Sequence, residues 1–143
     1  MNFFNTKVDK ELSQILSLFH PFSGLCLLSV RQRQVDGCLE RLLFDFGSSI
    51  LVVIANADDD SINVTVVSAK ELHSPNDIDV SQLQPWKDFI NKSFAWGWVT
   101  INQQSYCDGV LLSFGNFIPE LALTVVASSI KVGRFIKATN LQI

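Results

Sequence analysis

The sequence predicts an α+β domain, mainly antiparallel β, built as two αββββ halves that share one core. Three observations carry that expectation. Apolar and polar residues alternate in short runs along most of the chain, the period of half-buried strands. Two windows depart from it, one with helical spacing and one with a helix-start signal. The turn-forming dipeptide Asp-Gly recurs at 36–37 and 108–109, each time between apolar runs. At 143 residues the chain has the size of one domain, so 1–143 is read as a single domain with pseudo-repeats 1–71 and 72–143.

The first helix is expected from Lys7 to Phe19. Thr6 and Asp9 have capping-box placement, Val8, Leu12, Ile15, Leu16 and Phe19 recur at helical spacing, and Pro21 forbids continuation. Leu25 to Val30 then has strand length, and polar residues 31–34 lead to the Asp36-Gly37 turn. Leu42, Phe44 and Phe46 alternate with Arg41 and Asp45. After Gly47-Ser48-Ser49, the unbroken apolar run Ile50 to Ala55 suits a strand buried on both faces. Asp58-Asp59-Asp60 reads as a turn, and Ile62, Val64 and Val66 as a half-exposed strand.

Residues 68–84 read as a loop. Pro85 suits the first position of a second helix, running to about Lys92. Phe94, Trp96 and Trp98 are then expected on one strand face, with Ala95, Gly97, Val99 and Ile101 on the other. A polar connection, 102–106, leads to Asp108-Gly109. Val110, Leu112 and Phe114 alternate; after a 115–119 loop come Leu121, Leu123, Val125 and Ala127, then Ile130, Val132 and Ile136. An ungapped half-length shift places Phe22 on Phe94, Gln32 on Gln104, Asp36 on Asp108, Gly37 on Gly109, Leu51 on Leu123 and Val53 on Val125. Those matches suggest an internal duplication.

Composition narrows the function classes. With 48% apolar and 17% charged residues, the chain is not a disordered one. Eleven Phe imply a dense core or a dimer interface. A net charge of −3 and dispersed basic residues oppose nucleic-acid binding. Arg31 and Arg33, and the group Lys131, Arg134 and Lys137, read as solvated surface. The longest apolar run is far too short to cross a bilayer, so no membrane association is expected. Met1-Asn2-Phe3-Phe4 lacks signal-peptide character; a cytoplasmic location is the expectation. Cys26, Cys38 and Cys107 form no C-x-x-C pair and read as inert, buried thiols.

Candidates for chemistry are scarce. His20 sits at a helix end and His73 in a loop, neither spaced to serve a nucleophile. Asp58-Asp59-Asp60 lacks the alternation, glycine and distal glutamate of a calcium loop. Asp36 and Asp108 would form a carboxylate pair if a two-fold brought them together, although Asp before Gly is ordinary turn chemistry. Gly97 reads as close backbone packing in a strand. No metal or cofactor is expected.

One block, Trp96 to Gly109, concentrates aromatics and neutral hydrogen-bonding side chains. Its binding candidates are Trp96, Trp98, Asn102, Gln103, Gln104, Tyr106 and Asp108, with Asp36 from the first half. Such a mixture serves a protein interface or a neutral-ligand pocket; the plainer reading is core tryptophans and a satisfied turn. The W-x-W, N-Q-Q and Y-x-D-G elements resemble those of a family of small uncharacterised bacterial proteins, over residues 94–130. That resemblance implies a bacterial, stand-alone domain and no particular activity. Ser105 stands where the pattern would place glycine.

The scarcity of titratable candidates favours a non-enzymatic protein-interaction module, immunity-like or partner-binding. A small neutral-ligand binder or unrecognised enzyme using Asp36 and Asp108, with Tyr106 and Gln104, is the first alternative. A structural homodimer is the second.

Overall fold

The computed structural model describes residues 6–69 and 74–135, with side chains at 10 and from 13 onward. Helix α1 (Thr6–Phe19) leads into a 3₁₀ turn at His20–Phe22, where Pro21 removes a helical donor. The expected cap of Thr6 and Asp9, and the apolar side chains of Val8 and Leu12, fall outside the described side chains. His73, Ile136 and Lys137 also lie outside the described residues. Among the described residues, no helix is long and apolar enough to cross a membrane.

The strands are β1 (Ser29–Val35), β2 (Cys38–Asp45), β3 (Ser49–Asn56), β4 (Ser61–Ser68), β5 (Ile78–Asp79), β6 (Phe94–Ile101), β7 (Cys107–Phe114), β8 (Leu121–Val126) and β9 (Ser129–Arg134). They form two antiparallel sheets, ordered β4-β3-β2-β1-β5 and β6-β7-β8-β9. Each sheet therefore contains a four-stranded meander in sequence order. The sheets pack face to face, β4 over β7 and β2 over β9. Their inner faces meet in one core: Leu42, Phe44, Leu51, Val53, Ile62 and Val64 from the first sheet, and Val110, Leu112, Leu121, Leu123 and Ile130 from the second.

The layers are offset, and the intervening segments fill the gaps. Phe19 of α1 reaches beneath β6. A Cβ on Gly97 would lie 2.7 Å from the Phe19 ring, so glycine there reflects close approach, as its flanking tryptophans suggested. On the other flank, Val80 and Trp86 pack beside β1 and β2, with Trp86 edge-on to Phe44 at 5.6 Å between ring centroids. Phenylalanine mainly fills the core. Phe22, Phe46, Phe94, Phe114 and Phe89 form a continuous line of ring contacts, 4.9–5.7 Å between centroids. Phe117 and Phe135 are exposed.

Two approach segments interlock between the sheets. Gly24 N–H donates to Phe94 O, Phe94 N–H to Leu25 O, Leu27 N–H to Lys92 O, and Asn91 N–H to Leu27 O. This pairing corrects the expected second helix. The backbone of 91–92 is committed to Leu27, leaving only a 3₁₀ turn at Trp86–Asp88. It also displaces the expected strand at Leu25–Val30. The first strand is Ser29–Val35, and polar residues 31–34 belong to it because Arg31 and Arg33 occupy its outer face beside Asp79 and Asp77.

The β1–β2, β3–β4, β6–β7 and β8–β9 turns gather at one end. Asp36 and Gly37 have φ of 52° and 79° between the paired residues Val35 and Cys38, the two positive values such a tight turn requires. Asp58-Asp59-Asp60 is a turn, as expected. In it Asp59 accepts the Ser61 N–H at 3.0 Å and Asp60 accepts the Ser128 N–H at 2.8 Å. Asp108-Gly109, in contrast, is not a turn but part of β7. The reversal occurs earlier, at Asn102. Its carbonyl accepts Ser105 N–H at 3.0 Å and its side-chain oxygen accepts Gln104 N–H at 2.9 Å.

Candidate functional site

The block from Trp96 to Gly109 divides into an outer sheet face and a turn beside a cleft. A β-bulge makes the division. Phe94 pairs with Phe114, but the next matched pair is Trp96 with Ser113. The extra residue reverses the facing. Phe94 therefore points into the core, whereas Trp96 and Trp98 stand half-exposed outside it. The expectation that all three share one face is corrected on this ground.

Register extends the outer surface across the sheet. Trp98 lies opposite Leu111, Leu111 opposite Ala122, and Ala122 opposite Gly133. Trp96 lies beside Ser113, whose hydroxyl bonds both to Trp96 N–H at 3.2 Å and to Trp96 O at 3.3 Å. His20 meets Trp96 edge-on, with centroids 6.3 Å apart. Trp96, Trp98 and Leu111 on this face are half-exposed, while Ser113 beside Trp96 is buried. Phe117 and Ile118, 71% and 65% exposed, project from the β7–β8 loop. Lys131 and Thr124 lie opposite one another toward the turn end.

Asp108 belongs to β7, where a second register shift sits opposite Thr100–Ile101. Its carboxylate accepts the Thr100 hydroxyl at 2.8 Å. Gly109 follows because the chains crowd: a Cβ would meet Thr100 Oγ1 at 2.6 Å and Leu123 O at 2.9 Å. Asp36 stands on the β1–β2 hairpin of the other sheet and lines a groove with Glu40, Asp58 and Ser128. Asp108 is not part of that groove's wall. Asn102, Gln103 and Gln104 form the tip of the β6–β7 hairpin, with Asn102 half-buried and engaged in the turn and Gln103 and Gln104 exposed.

Tyr106 faces a different space. A cleft of about 780 Å³ runs between α1, β4 and the β6–β7 turn. Gln14 and Ser17 come from α1, Asn56, Asp59, Ser61 and Asn63 from the β3–β4 hairpin, and Ser105 and Tyr106 from the turn. Ile15, Leu18, Ile62 and Val64 supply its apolar wall. Among the described residues, its lining contains no Lys, Arg or His. The Ser61 hydroxyl, then its backbone N–H, hold Asp59 below the ordinary 3.8 for a carboxyl group. Sequence reasoning found Tyr106 but missed Gln14, Asn56 and Asn63. They lie on separate elements, and only their common cleft identifies them.

Among the described residues, no group of three His, Cys, Asp or Glu side chains has metal-binding geometry. Cys107 is buried and Cys38 half-buried, but Cys26 is exposed, because it lies in the approach segment rather than a strand interior. This corrects the expectation of three buried thiols.

No curated protein and no solved structure matches the chain. A family model matches residues 23–139 and so spans both meanders: the chain belongs to the family of unknown function DUF6334.

Proposed function

We propose that this protein is a non-enzymatic protein-interaction module, immunity-like or partner-binding, and that the outer face of the β6–β9 sheet receives a partner protein. The half-exposed position of Trp96 and Trp98 on the sheet face away from the core carries the reading. Tryptophan is a frequent binding anchor, and here Trp96 and Trp98 stand on the edge strand β6 with Leu111 and Ala122 beside them, while Thr124 and Lys131 suit a polar interface rim. The bacterial origin and cytoplasmic location expected from the sequence belong to the same proposal. The enzyme alternative has less support, since Asp108 is bonded to Thr100 and Asp36 stands on the opposite sheet's hairpin.

The test compares the full chain with a Trp96→Ala/Trp98→Ala variant. A partner captured by the full chain should bind the purified protein with micromolar affinity, and the variant should weaken it at least tenfold (about 1.4 kcal/mol). Unchanged affinity would remove this face from the proposal. Light scattering addresses the homodimer alternative, for which the uncharged strand β6 offers an edge. A dimer that the double variant disrupts would replace the partner-protein reading with self-association.

An internal duplication is a further proposal. Its support is the two sequential meanders and the reciprocal pairing of the segments that precede them. Strand offsets differ along the chain, so insertions on either side would have to accompany that history.

A further inference from the structure

We infer that the cleft between α1, β4 and the β6–β7 turn is a binding site for an uncharged, hydroxyl-rich ligand of saccharide type. The inference is independent of the tryptophan face. Three separate elements aim hydrogen-bonding side chains into one volume, and a cleft of about 780 Å³ has room for a short oligosaccharide.

The chemistry of the walls selects the ligand class. Ser17 and Ser61 already use their hydroxyls within the protein, on Gln14 O and on Asp59 respectively. Hydrogen bonds within the protein leave the Gln14 and Asn63 amides, the Asn56 NH₂ group and the Tyr106 hydroxyl available among the described residues. These groups offer donors and acceptors together. A wholly apolar ligand would strip water from them without replacing its hydrogen bonds. An anion would meet the Asp59 carboxylate with no cation among the described lining residues to offset it. A cation is not demanded either, because Asp59 is already stabilised by two hydrogen bonds from Ser61. Vicinal hydroxyls provide both donor and acceptor at each position, while the C–H faces of a sugar ring match Ile15, Leu18 and the Tyr106 ring.

The experiment titrates the ¹⁵N-labelled full chain with maltotriose, cellotriose and tri-N-acetylchitotriose, using spermidine and inorganic phosphate as charged comparators. At least one trisaccharide should shift the amide signals of Asn63, Ser105 and Tyr106, with a dissociation constant of about 1 mM or below. Asn63→Ala should weaken that binding about tenfold, and Tyr106→Phe should weaken it while retaining the aromatic wall. Trp98→Ala should leave it unchanged, which separates this site from the proposed partner face. Retained, dispersed amide spectra establish that each variant is folded. Absence of binding by all three trisaccharides up to about 20 mM would overturn the inference. So would shifts mapping outside the cleft, or stronger binding of spermidine or phosphate within it.

Discussion

Gly97 and Gly109 occupy strands, yet neighbouring atoms leave no room for a Cβ at either position. Gly97→Ala should destabilise the fold by about 2 kcal/mol through crowding against Phe19, measured by urea unfolding. Phe19→Leu in the same chain should recover part of that loss. Ser105 presents the opposite situation. Its φ of 68° places it in the left-handed region, where glycine is less restricted. The glycine of the resembling motif therefore has a conformational rationale, and Ser105→Gly should stabilise the protein by about 0.5–1 kcal/mol in the same assay. Sequence alone made the Gly97 packing legible because tryptophans flank it. It misread Gly109, since an Asp-Gly pair signals a turn locally while the crowding that requires this glycine comes from Leu123 and Thr100.

At the scale of elements, alternation identified the strand cores of β2, β4, β7 and β8, and an unbroken apolar run identified that of β3. It did not identify the Ala95 bulge, because one inserted residue changes facing without changing composition. Nor did it place Arg33 and Arg41. These like charges are direct cross-strand neighbours, an unfavourable arrangement by itself. Asp77, with a side chain only 1% exposed, resolves it by accepting Arg33 Nε at 2.7 Å. The contact ties the segment before β5 to the outer face of the first sheet. Asp77→Ala should lower unfolding free energy by about 2–3 kcal/mol, less than removal of one member of a fully buried pair because Arg33 remains partly hydrated. Arg33→Met in the Asp77→Ala background should recover stability by removing the uncompensated charge; an unchanged stability in both variants would show that the contact contributes little. The second-helix expectation failed for a related reason: the pairing of 91–92 with Leu27 is between residues distant in sequence.

For the whole molecule, acid stability follows from local hydrogen bonds. Asp79 is held below its ordinary 3.8 chiefly by the Ser81 hydroxyl, then by Ser81 N–H, with Arg31 adding attraction. Because the folded value lies below the unfolded one, this contribution is fully present above about pH 5. It is lost as pH falls through the ordinary range and then the folded value. Urea midpoints should therefore decline below about pH 4, and Asp79→Asn should make that decline shallower. Asp88, beside Arg134 and Gln84, shifts in the same direction. The overall α+β class was legible from periodicity. The functional surfaces were less so: the half-exposed tryptophans depend on a bulge, and the cleft joins Gln14, Asn63 and Tyr106 from remote parts of the chain.

The interlock of 24–27 with 91–94 has a consequence during synthesis. When β1–β4 have left the ribosome, most of the second sheet that covers their inner face is still unmade or within the exit tunnel. Leu42, Phe44, Leu51 and Val53 must await β6–β9, and Leu27 must await Asn91 and Lys92. The emerging first half is thus an apolar template with unsatisfied backbone partners, a state prone to association with other chains. Slow translation between the meanders should prolong that exposure, making the timing of the second half a determinant of soluble yield.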